Sequence, residues 1–262
     1  MSESNPYQTP SANVEGPSAS AGELTEPRSV SIGRGWGWLS EAFGLFATSW
    51  GIWIVNILIF GVLIILLSLI PVVGALVTSL LSPVFLAGFM LGCRAIDDGG
   101  KLEVAHLFAG FSRNTGTLVG VGALYLVATL VAMVVTFGLM MLLGADLATL
   151  GQDVGGMPGQ GPEGSPLVPL LVVLVVIALF IPVMMAYWFA PVLVVLHDRG
   201  VIESMVLSFK GCLRNILPFL VYGIIAFVLL LLASIPLMLG LLVMMPVLIA
   251  SIYTAYRDIY LS

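Results

Sequence analysis

Apolar residues fill six stretches of the chain, Gly51–Ile70, Ala75–Cys93, Thr117–Leu143, Leu167–Leu196, Ile216–Leu239 and Leu241–Tyr256, and polar residues gather between them. A helix needs about 20 apolar residues to cross a hydrocarbon layer about 30 Å thick. Four of the stretches reach that length. The second and sixth fall slightly short, which a thinner or snorkelling boundary accommodates. Hydrocarbon offers a backbone no water, so only helices and closed barrels cross it, and unbroken apolar runs lack the alternation of a barrel strand. The pattern predicts an all-α, polytopic membrane bundle of six transmembrane helices.

The polar connections are patterned as well. Val104, Leu107, Phe108 and Phe111 recur at helical spacing, opposite Glu103, His106, Gly110 and Arg113. Ile202, Met205, Val206 and Phe209 repeat this against Glu203, Lys210 and Arg214, and Trp36, Leu39, Phe43, Phe46 and Trp50 against Ser40, Glu41 and Gly44. Short amphipathic helices are therefore predicted at about 36–48, 101–112 and 200–213. Such helices lie in the headgroup plane with their apolar side in the acyl boundary. Two roles fit them: sensing lipid or docking a partner, and anchoring the rim of the bundle.

Each amphipathic stretch precedes one span and then a second span carrying Pro-Val: Pro83-Val84, Pro182-Val183 and Pro246-Val247, each with Ala four residues after the Pro. Phe108 to Asn114 and Phe209 to Asn215 superpose with an Arg-Asn pair in register. Arg94 and Arg257 each follow their Pro by eleven residues, whereas the middle unit ends in His197-Asp198-Arg199 and carries an insertion between its spans. The chain thus reads as three pseudo-repeats of interfacial helix plus helical hairpin, entering the membrane from one side.

Charge turns this layout into a topology. All nine Lys and Arg residues fall on one side of the six spans: Arg28 and Arg34 before the first, Arg94, Lys101 and Arg113 between the second and third, Arg199, Lys210 and Arg214 between the fourth and fifth, and Arg257 after the sixth. Basic residues concentrate in cytoplasmic loops, so both termini are predicted to be cytoplasmic in a bacterial inner membrane. Residues 1–33 are rich in Ser, Pro, Glu, Ala and Gly, and are expected to be a disordered cytoplasmic tail. They lack an apolar core, so the first span is expected to act as an uncleaved insertion signal. Residues 34–262 form the membrane domain, in which 144–166, with only acidic charges and many helix breakers, is expected to be a flexible periplasmic loop. Composition agrees: 60% hydrophobic residues, 9% charged and a mean hydropathy of +1.13 exclude a soluble domain. Each basic cluster is balanced by carboxylates, which argues against a nucleic-acid partner.

Candidate chemistry is sparse. No ionisable residue lies in the middle of a span, which disfavours a proton relay. Asn56, Ser68, Thr129, Thr136 and Ser234 are the main polar groups there, suited to bonds across helices or back to their own carbonyls. Pro83, Pro182 and Pro246 are candidate kinks, since each removes a backbone donor and crowds the preceding turn. Gly88 with Gly92, and Gly116 with Gly120, space small residues for close helix approach, within the chain or in a homo-oligomer. His106 and His197 lack metal-ligand spacing, Cys93 and Cys212 read as inert free thiols, and no nucleophile elbow or phosphate loop is present. No cofactor or metal is expected, and the chain does not read as an enzyme.

Trp188-Phe-Ala-Pro191 through His197-Asp198, then Glu203-Ser-Met205 and Phe209-Lys-Gly-Cys-Leu-Arg214-Asn215, resembles a family of uncharacterised six-span bacterial inner-membrane proteins. Pro83 to Gly88 looks like that family's second span, and Tyr253 to Tyr260 like its ending. The layout is also similar to YciC-type inner-membrane proteins and to the membrane domain of some glycerophosphodiester phosphodiesterases. The resemblance covers about residues 36–258 and implies location and architecture, with no catalytic set. The expected role is accessory or envelope-organising, with membrane lipids and a membrane-protein partner as contacts; the alternative is a lipid or small-solute carrier. Arg113, Arg214 and Arg257, at the inner ends of the repeated units, are candidate lipid-headgroup contacts, with pairing to a neighbouring acid open for Arg257. The topology has a direct test. A reporter fused after Ser262 is expected to be active only in its cytoplasmic form, and one inserted near Gly156 only in its periplasmic form; the reverse at either position overturns the orientation.

Overall fold

A computed structural model of the chain describes residues 23–142 and 167–261. In order, these form α1 (Arg34–Thr48), α2 (Trp50–Ser68), α3 (Val73–Asp97), a 3-10 helix η1 (Val104–Ser112), α4 (Thr115–Leu142), α5 (Leu167–Trp188), α6 (Ala190–His197), α7 (Val201–Arg214), α8 (Ile216–Ser234) and α9 (Leu241–Tyr260). Six segments are long and apolar enough to cross a membrane: α2, α3, α4, the α5–α6 run, α8 and α9. The fold is a polytopic helical bundle. α8 stops at Ser234, short of the expected boundary, because Leu237 and Met238 take positive φ angles of 51° and 63°, which no helix continues through. α9 runs on to Tyr260. Leu143 and the 144–166 connection lie outside the described residues.

The expected tail is corrected over residues 23–33. Thr25 N–H donates to the Tyr260 carbonyl (2.8 Å) and Arg28 N–H to that of Ile259 (3.0 Å), so the segment straps the C-terminal end of α9. Val30 N–H donates to Asn215 Oδ1 (2.9 Å), and Asn215 Nδ2 returns a bond to the Arg28 carbonyl (2.9 Å). Carbonyls left open at a helix end give a polar segment partners that its composition does not advertise. Residues 1–22 lie outside the described residues.

Two elbows share one backbone device. α1 passes into α2 through Ser49 (φ −142°, ψ 37°), and α7 into α8 through Asn215 (φ −123°, ψ 31°). The middle elbow departs from the expected α-helix. η1 winds as a 3-10 helix and leaves through extended Arg113 and left-handed Asn114 (φ 53°), a conformation Asn tolerates. Its tighter winding accompanies a backbone-to-backbone fit. A Cβ on Gly110 would lie 2.0 Å from the Val84 carbonyl oxygen, and one on Gly88 2.4 Å from that of His106. Gly88 therefore serves packing inside the chain.

Each short helix docks on the hairpin of a different segment: η1 on α3 and α2, α7 on α5 and α6, and α1 on α9 and α8. The last contact closes a ring. At its centre α3 touches both α6 and α9, while Phe189 meets Tyr260 edge-on at 5.3 Å to bring α6's start to α9. Half of α3 and of α9 is buried, against 6–22% of the other four spans.

The docked faces interleave small residues with a few large apolar ones. α1 buries Gly35, Trp38, Leu39, Ala42 and Phe46, and α7 buries Ser204, Met205, Ser208, Gly211 and Cys212. Other large apolar residues point away, with Ile202 71% and Trp36 54% exposed. In a membrane protein such a face is covered by acyl chains, as the amphipathic pattern anticipates.

Span four breaks at Phe189 and runs unbroken through Pro182. Two features meet at the break: Pro191 can donate no ladder bond, and Ser208 of α7 enters the ladder, its Oγ accepting from Phe189 N–H (2.9 Å) and donating to the Met185 carbonyl (2.6 Å), two groups that would otherwise bond each other. Pro191 sits in the first turn of α6, where its missing N–H costs nothing. Pro83 and Pro246 lie inside continuous α3 and α9. The close docking predicts opposite signs for two similar substitutions. Gly110→Ala is expected to lower stability in detergent by at least about 2 kcal/mol through overpacking. Gly44→Ala, where a Cβ meets nothing within 4 Å, is expected to raise it by about 0.5–1 kcal/mol. Thermal unfolding of the two purified variants checks both.

Candidate functional site

The rim, where α1, η1 and α7 meet the ends of α3, α6 and α9, holds most of the charged side chains. Its centre is an alternating chain, Asp258–Arg34–Glu41–Arg257–Asp97, that ties α1 to both central spans. Arg34 Nε donates to Asp258 Oδ2 at 2.6 Å and its Nη2 to Glu41 Oε1 at 2.8 Å. Arg257 Nη2 donates to Glu41 Oε2 at 2.9 Å, and its Nη1 to Asp97 Oδ1. Trp38 Nε1 adds a 2.9 Å bond to Asp258 Oδ2, and Tyr253 OH a 3.1 Å bond to Asp97 Oδ2. Arg28 donates from Nε to the Asp258 carbonyl at 2.7 Å. The hydrogen bond to Asp258 holds the Arg34 pKa above the usual arginine range, against the opposing effect of burial and with help from Glu41.

Directly beneath lies an aromatic plug. Trp38, Trp53, Phe189 and Tyr260 are fully buried, and Trp53 stacks on Phe89 at 5.7 Å with ring planes 5° apart. Tyr260 OH donates to the Leu207 carbonyl (2.9 Å), and Thr254 Oγ1 to that of Trp38 (2.8 Å), so the plug's polar atoms are bonded inward. Beside it, His197 Nε2 and Tyr256 OH share a hydrogen bond at the end of α6, and Asn114 Nδ2 reaches Val194 O and Asp198 Oδ1 (3.1 and 2.6 Å). Cys93 and Cys212 are buried free thiols, and burial pushes the Cys212 thiol up to about 12.

The three arginines singled out by sequence occupy different settings. Arg257 is committed to Glu41 and Asp97. Arg214 Nη1 donates to the Pro27 carbonyl of the strap. Arg113 is exposed at the lip of an open groove and has no hydrogen bond or ion pair among the described residues. Pro83, Pro182 and Pro246 belong to helix interiors away from the charge chain. Sequence reading passed over Glu41, Asp97 and Asp258 as rim-binding groups. For Asp97 and Asp258 the signal was a carboxylate beside Arg94 or Arg257 at the matching ends of the first and third hairpins; Glu41 carried none.

No family model and no solved structure matches the chain. A Burkholderia thailandensis protein, named a probable inner membrane protein, is 32% identical over a 256-residue alignment that covers 88% of this chain and 92% of the relative.

The charge chain makes its members energetically interdependent. Glu41, Asp97 and Arg257 side chains are 30–38% exposed, so solvent weakens each pair. In a double-mutant cycle of Glu41→Gln and Arg257→Gln, unfolding in detergent is expected to show a coupling of about 1 kcal/mol. Additive losses would mean that the two groups are independently solvated.

Proposed function

The chain belongs to the family of this Burkholderia thailandensis inner-membrane protein and is itself a multi-pass inner-membrane protein; from that premise we propose a non-enzymatic accessory or envelope-organising role. In this reading the rim faces the cytoplasm with both termini, contacts lipid headgroups through Arg113, keeps Arg214 and Arg257 for bonds within the protein, and offers a membrane-protein partner a rigid platform. The layout likeness to YciC-type proteins belongs to the same reading. One observation carries it: the charged groups of the central rim pair with one another above a filled aromatic plug. Carboxylates and guanidiniums engaged in this way hold helices at fixed spacing and leave no free acid–base pair among them. The orientation is supported by the placement of every Lys and Arg on one side of the spans.

A lipid or small-solute path through the interior of the rim end would have to displace side chains such as Trp38, Trp53, Phe189 and Tyr260, all of which are fully buried. The two readings separate in reconstituted vesicles. Protein-containing vesicles are expected to flip labelled phospholipid no faster than empty ones. In native membranes, a photoreactive residue at exposed Lys101 is expected to give a discrete protein adduct that the same residue at lipid-facing Leu231 does not. Lipid movement well above the empty-vesicle rate overturns the accessory role.

A further inference from the structure

Arg113 and Arg214 occupy the same place in two copies of one sequence pattern, Phe108 to Asn114 and Phe209 to Asn215. Each closes a short rim helix just ahead of a span. Their surroundings differ in one respect. The Arg214 guanidinium is met by an acceptor oxygen, the carbonyl of Pro27, brought by the strap that also bonds Asn215. At Arg113 no described residue supplies that oxygen, and a groove of about 780 Å³ opens between η1 and α3 instead.

The groove has two chemistries. Leu91, Phe108 and Ala109 give an apolar wall, while His106, Ser112 and Arg113 give a polar lip. His106 Nδ1 accepts the Glu103 N–H at 3.0 Å, so the ring's proton sits on Nε2, and the ring presents a donor. The Arg113 guanidinium is donor-only as well. A lip built chiefly of donors and positive charge calls for an acceptor-only anion, and a phosphate fits that description. The apolar wall is continuous with a rim helix that exposes Phe108 and Phe111, the face a membrane protein turns to acyl chains.

We propose that the groove between η1 and α3 holds one phospholipid, with its phosphate on Arg113 and His106 and an acyl chain along Leu91 and Phe108. The lipid supplies at the middle unit the oxygen that the strap supplies at Arg214. This site rests on the rim lying at headgroup depth. It is independent of which side the rim faces and of the accessory role, both of which the reporter fusions and the vesicle assay decide separately.

The test uses the full chain in vesicles of phosphatidylethanolamine and phosphatidylglycerol, with a photoreactive group on the phosphatidylglycerol acyl chain. Adducts mapped by mass spectrometry are expected to concentrate on Leu91 and residues 105–112. Arg113→Gln is expected to reduce them about fivefold, the attraction of one basic side chain for an anionic leaflet. Arg113→Lys is expected to restore most of the labelling, and Arg214→Gln to leave it unchanged. Labelling spread evenly over the outer faces of α2, α4 and α8, or insensitive to Arg113→Gln, overturns the site. A photoreactive residue at Phe108 in the otherwise native chain guards against a folding defect. A lipid adduct there supports the proposal, and an adduct to residues 1–22 or to another protein overturns it.

Discussion

Hydrocarbon gives apolar helices no reason to leave it for one another, and that constraint decides where this molecule is held together. Leu and Val on the far half of the spans gain nothing by packing, and many do not: Leu237 is 90% exposed and Leu142 81%. Cohesion gathers at the rim instead. There, water is near enough for the hydrophobic effect to act, and backbones approach closely enough for dispersion and hydrogen bonds to accumulate. Trp38, Trp53 and Tyr260 are buried at that end, and three short helices press into it.

The ion pairs follow from the same placement. Glu41 is shared, one carboxylate oxygen on Arg34 and the other on Arg257, and each arginine turns a second nitrogen to a different acid. Only a forked, planar cation bridges two carboxylates at fixed angles in this way, and a lysine would offer a point charge on a mobile stem. Burying parts of α1, α3 and α9 together leaves their polar ends half-desolvated, so complementary charges on neighbouring ends offset a cost that each alone would carry. Trp38 and Tyr253 extend the network into the aromatic layer, which makes the rim and the plug one packed body.

The spans were legible because length and composition alone specify a membrane helix, and boundary shifts at Ser234 and Tyr260 do not disturb that. The rim helices were legible as amphipathic segments, but their protein-facing sides were not. On a soluble helix the apolar stripe marks the core; here it is divided, with Leu39, Phe46, Leu107 and Met205 facing protein and Trp36, Phe43, Phe108 and Ile202 exposed, while Gly35, Ala42, Ser208 and Gly211 complete the seams. Glu41 and Arg257 stand 216 residues apart, a pairing that one sequence cannot disclose. Arg113, Arg214 and Arg257 looked alike because each sits at the rim end of a span, and only three-dimensional neighbours separate them. Span four taught a similar lesson. Pro182 is the residue that periodicity flags, yet the chain breaks where a serine from another helix takes over two backbone groups.

The closure of α1 onto α8 and α9 has a consequence for how the chain is made. Ribosomes deliver α1 first and α9 last, so the earliest rim helix has no seat until synthesis is nearly finished. η1 finds its hairpin already threaded, and α7 finds its own, but α1 must wait beside the insertion machinery while the intervening residues emerge. The bundle therefore closes by an encounter between its first and last described helices. Until that encounter, Arg34 and Trp38 lack Asp258, and Glu41 lacks Arg257, so these groups of α1 stay incompletely bonded at the membrane surface, a marker of an unfinished molecule.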